Sequence, residues 1–190
     1  LNRTLIVGSG YKPEPAEKLF DRIKSDKKAL HSENPVNPVF LSKGLRSLLF
    51  RKGQLMTDVK RFVENDRFAK HLGVDMLEYG NGRAKAAMVI QDHHLNSAGT
   101  VHGGAIFALA DAVFSAASNS HGTLAMAINV SISYFKAVSG GTLTASAEEV
   151  SLNPKLATYL IPVLDDKGNK IALFQGTVYR KKDGVGQFVK

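Results

Sequence analysis

Residues 93–122 read HHLNSAGTVHGGAIFALADAVFSAASNSHG, and the use made of this stretch decides the fold. A polar, glycine-containing loop (Asn96, Ser97, Gly99, Thr100) leads into His102-Gly103-Gly104. From there about 16 residues of helix are expected, ending near Asn119 with Gly122 as the stop. Ala105, Ala108, Ala112 and Ala116 interleave with Ile106, Phe107, Leu109, Val113 and Phe114, so the helix is apolar on nearly every side. Such a helix belongs in a core, and its alanine faces allow a sheet to approach closely. One carboxylate, Asp111, stands in its middle with no basic residue three or four positions away.

Gly103 and Gly104 fall at the helix N-terminus, where unpaired N–H groups and the positive dipole end attract polarised or anionic oxygen. Glycine lets a ligand come close to that backbone. Asp111 lies two turns further on, about 12 Å by helix rise. Within one chain that is too far for both groups to act on one atom. A second copy of the chain removes the difficulty, so the spacing points to a composite site across a dimer.

Downstream, Met126, Ile128, Val130, Ile132 and Tyr134 alternate with Ala127, Asn129, Ser131 and Ser133, which predicts a strand with one buried face. After Gly140-Gly141, three more strands are expected at residues 142–151, 156–164 and 170–180, with Asp165 to Asn169 as the last hairpin turn. Pro162 argues for an edge or a bulge in its strand, and the tail from Lys181 is expected to fray. Upstream, residues 74–79 and 83–90 read as two strands joined by Gly80-Asn81-Gly82. Thr57 to Leu72 reads as helix, with Thr57 as its cap and a break near Asn65-Asp66, where either residue can cap a second short helix. An early hairpin, one buried helix and a meander of long strands make an α+β layout: an antiparallel sheet wrapped around a central helix.

The chain has 190 residues, 44% of them hydrophobic, which suits one main core. It has no cysteine, so disulfides and thiolate metal sites are excluded. No apolar run approaches the 18 residues of a membrane span, and the N-terminal Leu5-Ile6-Val7 is too short for a secretory core, so a cytoplasmic location is expected. The charge is uneven. Residues 1–55 carry eleven Lys/Arg against five Asp/Glu, and the other 135 carry fourteen against twelve. In that first part, a helix is expected over Ala16 to Ala29, breaks at Asn34-Pro35 and Asn37-Pro38, and an amphipathic stretch from Leu41 to Phe50. It reads as a basic extension, with 56–183 as the main domain and 184–190 as a flexible tail. A basic flank can meet nucleic acid, but no aromatic-interleaved groove or zinc spacing supports that partner here.

The run Asn96-x-x-Gly99-x-x-His102-Gly103-Gly104 continuing to Leu109-Ala110-Asp111 resembles hotdog-fold acyl-CoA thioesterases of the phenylacetate-pathway type. The strand end Ser133-Tyr134-Phe135-Lys136 and the closing GTVYR fit the same pattern. The resemblance covers roughly Met56 to Asp183. It implies a homodimer or homotetramer whose subunits pair sheets edge to edge, with Met126–Tyr134 a candidate edge and the site at the interface. It implies hydrolysis of an aryl-acetyl or medium-chain acyl-CoA to free acid and CoA, without a metal or redox cofactor. Gly103 N–H would polarise the thioester carbonyl, the partner subunit's Asp111 would serve as general base or nucleophile, and Asn96 would orient the water or the carboxylate. His102, Gly104 and Lys136 would bind or position the substrate. Some related enzymes carry a hydroxyl on the strand after the central helix, where Ala127 stands here, so a mechanism that needs it is not expected.

Other motifs carry less. His93, His94, His102 and His121 match no metal-ligand spacing and read as hydrogen-bonded structural groups. Glu148 and Glu149 are adjacent on a strand and face opposite sides, so they form no carboxylate pair. Neither glycine cluster follows the nucleotide-binding GxGxxG pattern. Two other functions fit the same layout: a non-catalytic acyl-CoA-binding module with the basic segment as its contact, and dehydration of hydroxyacyl thioesters. Asp111 with Asn96 favours hydrolysis over both.

Overall fold

The computed structural model describes residues 43–188; the expected Ala16–Ala29 helix and the two Asn-Pro breaks lie outside them. Internal contacts divide the chain between Leu49 and Phe50, and the second unit is described below. The elements are α1 (Lys43–Glu64), α2 (Arg67–His71), β1 (Val74–Gly80), β2 (Arg83–Val89), α3 (Gly103–Asn119), β3 (Thr123–Tyr134), β4 (Thr142–Leu152), β5 (Leu156–Leu164) and β6 (Lys170–Gly184). Short 3₁₀ turns occupy Asp92–His94 and Val185–Gln187. The strands form one six-stranded antiparallel sheet in the order β1-β2-β4-β5-β6-β3, with α3 packed across it. This is the α+β layout that the sequence predicts.

Small residues on both partners make that packing possible. Ala110 and Ala117 of α3 are fully buried, as are Ala86 of β2 and Ala145 of β4. Leu109, Val113 and Phe114 fill the remaining space, each burial worth about 1.5–3 kcal/mol. The Phe114 ring lies 5.7 Å from Tyr159 and 5.5 Å from Phe174, at tilted angles that suit aromatic pairs. It lies against Gly176 of β6, where an added Cβ would come within 2.6 Å of it. Asn119 closes the helix: its buried amide donates to the Ser115 and Ala125 carbonyls and accepts from Ala125 N–H. Gly122, at φ 82°, turns the chain into β3 as expected.

Five expectations are corrected. Thr57 does not cap a helix: it lies inside α1, where its hydroxyl donates to the Gly53 carbonyl at 3.0 Å. Residues 50–57 contain no proline, and Gly53 costs only about 1 kcal/mol relative to alanine, so nothing stops the helix there. From Lys43 on, the short amphipathic stretch before it is for the same reason the start of the same helix. The break does fall where expected, and Asp66 is the residue that caps, accepting from Ala69 N–H at 2.9 Å.

Pro162 is not on an edge, since β5 lies between β4 and β6, while the expected bulge falls one residue on, where the β5–β6 register shifts between Val163 and Leu164. The β4–β5 pairing instead skips from Ala145–Val163 to Glu148–Leu160 in one register, leaving out the segment where proline has no N–H to give. The tail does not fray from Lys181: β6 continues to Gly184, and Val185 is buried with its N–H bonded to the Gly122 carbonyl. Finally, β3 has no buried face over most of its length. Met126, Ile128, Val130 and Tyr134 are all exposed, because β3 is an outer strand bonded only to β6.

Candidate active site

Most of α3 is buried, and its other residues mark one line along the helix. Gly103, Gly104, Phe107, Asp111 and Ser115 are the positions that keep contact with solvent. Their spacing places Gly104, Asp111 and Ser115 on one face, and Phe107 borders it, its ring 5.4 Å from Phe174 of β6. The helix therefore presents its N-terminus, one carboxylate and one hydroxyl along a single open stripe.

His102 is the cap of α3. Its Nδ1 accepts from Gly104 N–H at 2.9 Å, which places the ring proton on Nε2. The His102 carbonyl takes the Ala105 and Ile106 N–H groups. Gly103 N–H, the first of the helix, makes no hydrogen bond among the described residues. The Gly103 carbonyl accepts from the Tyr134 hydroxyl at 2.9 Å, so the end of β3 lies over the start of α3. Sequence reasoning missed this tie, which joins residues 31 apart.

The loop before the helix is held as tightly. The Asn96 side chain accepts from Ala98 N–H at 2.9 Å and Thr100 N–H at 3.3 Å, and donates to the Thr100 hydroxyl at 3.0 Å. Its amide therefore shapes the 96–100 turn, with Gly99 at φ 71° completing it. Buried His94 anchors the loop from behind: its carbonyl takes His102 N–H, Nδ1 accepts from Gln91 N–H, and Nε2 meets the Leu72 carbonyl. Burial, with a smaller push from the His93 charge, lowers the pKa of His94. It is a structural group.

Asp111 is half-buried, and burial raises its pKa, with a smaller contribution from the Asp66 carboxylate. A carboxylate held this way is a stronger base than one in water. Ser115 follows one turn later on the same stripe; no local pattern distinguishes it from Ser118, which is buried. Lys136, just beyond β3, is about half exposed and 3.9 Å from the Asp165 carboxylate. The structure thus brings His102, Gly103 and Gly104 together with Tyr134, sets the Asn96 loop beside them, and leaves Asp111 two turns along. Ala127 lies exposed on β3.

A second polar group lies at the other end of α3. Glu149 Oε2 is 2.6 Å from His121 Nε2 and accepts from the Tyr159 hydroxyl at 2.6 Å. Burial alone would raise the Glu149 pKa, but these two hydrogen bonds and the His121 and Arg180 charges outweigh it and leave it lowered. Glu149 works apart from Glu148, and it fastens three distant segments. Among the described residues, no three His, Cys, Asp or Glu side chains are grouped to hold a metal ion.

Residues 98–172 match the thioesterase superfamily. The chain is 35% identical over 118 residues to the Escherichia coli acyl-coenzyme A thioesterase PaaI, covering 62% of this chain and 84% of that protein. The solved structure of E. coli PaaI from the phenylacetic acid degradation operon superposes with TM-score 0.66 and 31% identity, over 70% of this chain and 96% of that one. A mutant of the phenylacetic acid degradation protein PaaI from Thermus thermophilus gives 0.59 and 39%, over 61% and 100%.

Proposed function

The chain belongs to the PaaI-like thioesterases of the hotdog fold and is a thioester hydrolase, and from that premise we propose how it cleaves an acyl-CoA. The carrying observation is the open stripe of α3, with a Gly103 N–H unbonded among the described residues at its start and Asp111, its pKa raised by burial, eight residues on.

The Gly103 N–H of one subunit polarises the thioester carbonyl, aided by the positive end of the helix. Asp111 of a second copy takes a proton from water, and Ser115, one turn beyond it, holds that water. The hydroxide equivalent adds to the carbonyl carbon, and the charge that develops on oxygen is met by Gly103 N–H. Collapse breaks the C–S bond, and CoA thiolate leaves and takes up the proton. Asn96 holds the 96–100 loop against the helix start, His102 fixes the first turn through Gly104, and Lys136 offers a half-exposed cation to the anionic CoA. Every group is the chain's own, with no metal or redox cofactor in the scheme.

The second copy pairs along β3, where exposed Met126, Ile128, Val130 and Tyr134 line an outer strand. An apolar edge of this length is otherwise an aggregation hazard. The minimal unit is a homodimer, and dimers can associate further. The test is CoA release from a panel of acyl-CoAs, including phenylacetyl and medium-chain members. Release that disappears in Asp111→Ala supports the reading; a panel without release by the wild type overturns it.

A further inference from the structure

Beside the open stripe lies a groove of about 500 Å³, within the usual range for small-molecule sites. Its floor is α3, through Ala112, Ser115 and Ala116; its walls include Phe62 and Val63 of α1 and Val74 and Met76 of β1. Three observations connect it to Asp111. Ala112 is the next residue in the chain, and Ser115 shares the stripe with Asp111 and also lines the groove. Asp66, on the groove wall, is close enough to act on the Asp111 carboxylate. A substrate whose carbonyl reaches Asp111 therefore has this space for its acyl group.

The lining is apolar within and acidic around. Among the described residues, carboxylates of Glu64, Asp66 and Asp75 border the groove against one cation, Lys70. Glu64 is 3.7 Å from Lys60, and Asp66 is fixed by its hydrogen bond from Ala69 N–H. We propose that this groove holds the acyl group of the substrate and that Asp66 and Asp75 restrict it to acyl groups without a terminal carboxylate. The proposal rests on the hydrolase reading above and deepens it. Neutral alkyl or aryl chains meet Phe62, Val63, Val74 and Met76; a chain ending in a carboxylate meets Asp66 and Asp75 instead. Asp66 is half-buried and Asp75 exposed, and like charges brought together at a binding surface disfavour that ligand.

The test compares hexanoyl-CoA with adipoyl-CoA, equal in length and differing in the terminal carboxylate, with acetyl-CoA as a short reference. The wild type should show kcat/KM for adipoyl-CoA at least about 100-fold below that for hexanoyl-CoA. The double variant Asp66→Asn, Asp75→Asn should narrow that gap at least about tenfold. Asparagine caps a helix as well as aspartate, so α2 is retained. Loss of the Asp66 charge also acts on Asp111, but equally for both substrates, so the ratio isolates the groove. Met76→Trp should raise KM for hexanoyl-CoA and spare acetyl-CoA, and Phe62→Ala should move the preference toward longer chains. An equal wild-type rate on both six-carbon substrates, an unchanged ratio in the double variant, or an unaltered chain-length profile in both volume variants overturns the proposal. These outcomes leave the Asp111 dependence of CoA release standing. If no acyl-CoA turns over, calorimetric titration of the same two thioesters reads the discrimination, and equal affinity overturns it.

Discussion

The phenol of Tyr134 donates to the Gly103 carbonyl at 2.9 Å, so the last residue of β3 fixes the first residue of α3. The N–H of the same residue has no hydrogen-bond partner among the described residues. Gly103→Pro removes that N–H at the one helical position where proline is well tolerated. His102, at φ −59° and ψ 133°, already has the extended conformation that a following proline requires. The fold should survive, with Tyr134 shifting slightly, since an added Cβ comes 3.2 Å from its ring and hydroxyl and the ring is half exposed. Expected are an unchanged circular dichroism spectrum and kcat lower by about 100-fold or more. Near-wild-type turnover would remove Gly103 N–H from the mechanism.

Asp111 should show opposite effects on activity and stability. Its pKa is raised by burial first and by Asp66 second, so the folded chain binds its proton more tightly than the unfolded chain does. Stability from this group is complete below the unfolded pKa and is lost as pH rises through the folded pKa. At neutral pH the ionised carboxylate is a cost, and Asp111→Asn should raise the Tm while lowering kcat by at least about 100-fold. For the wild type, the acid limb of the pH–rate profile should lie above the ordinary carboxylate range. A destabilised, active Asn variant would contradict both halves.

The central helix and the long strands were legible in the sequence because each is a local pattern. Alanine spacing and a closing Gly122 define α3, and period-two alternation defines β3. The same alternation misled on burial. Met126, Ile128 and Val130 read as a core face, but an outer strand has no cover within its own chain. Pro162 was half legible: of the edge or bulge that local rules allow, the sheet has an irregularity at Val163–Leu164 beside it and a skipped stretch of β4 pairing, not an edge. In the site, Asp111 and the His102-Gly103-Gly104 start stood out as chemistry at odds with an apolar helix. The Tyr134–Gly103 hydrogen bond and the Asp66 charge acting on Asp111 were not legible, since each joins residues more than 30 positions apart.

Glu149 should govern acid stability. With its pKa lowered in the folded state, its contribution is present above the unfolded pKa and is lost as pH falls through the folded one. The wild type should therefore weaken on acidification below the ordinary glutamate range. Glu149→Gln loses the charge that His121 and Tyr159 bind, at roughly 1–3 kcal/mol near neutrality. Urea unfolding at several pH values should show a less stable variant with a flatter acid profile. Parallel pH curves for the two proteins would assign the acid response elsewhere.

The two-subunit site yields the most direct prediction, since α3 is one continuous helix from Gly103 to Asn119. Eight residues of helix separate Gly103 from Asp111, about 12 Å. A reacting carbonyl needs its polarising N–H and its water within hydrogen-bond reach, about 3 Å. Two groups on one rigid helix cannot both meet that condition, so the mechanism proposed above requires Gly103 from one copy and Asp111 from the other. Asp111→Ala and Gly103→Pro should each be inactive alone. Mixed under conditions that exchange subunits, they form dimers with one doubly defective site and one fully intact site. Each mixed dimer should recover half the wild-type activity, and activity should follow the fraction of mixed dimers measured by native mass spectrometry. A mixture that stays inactive despite measured exchange, or a monomer with full activity, would place both groups of a site in a single chain.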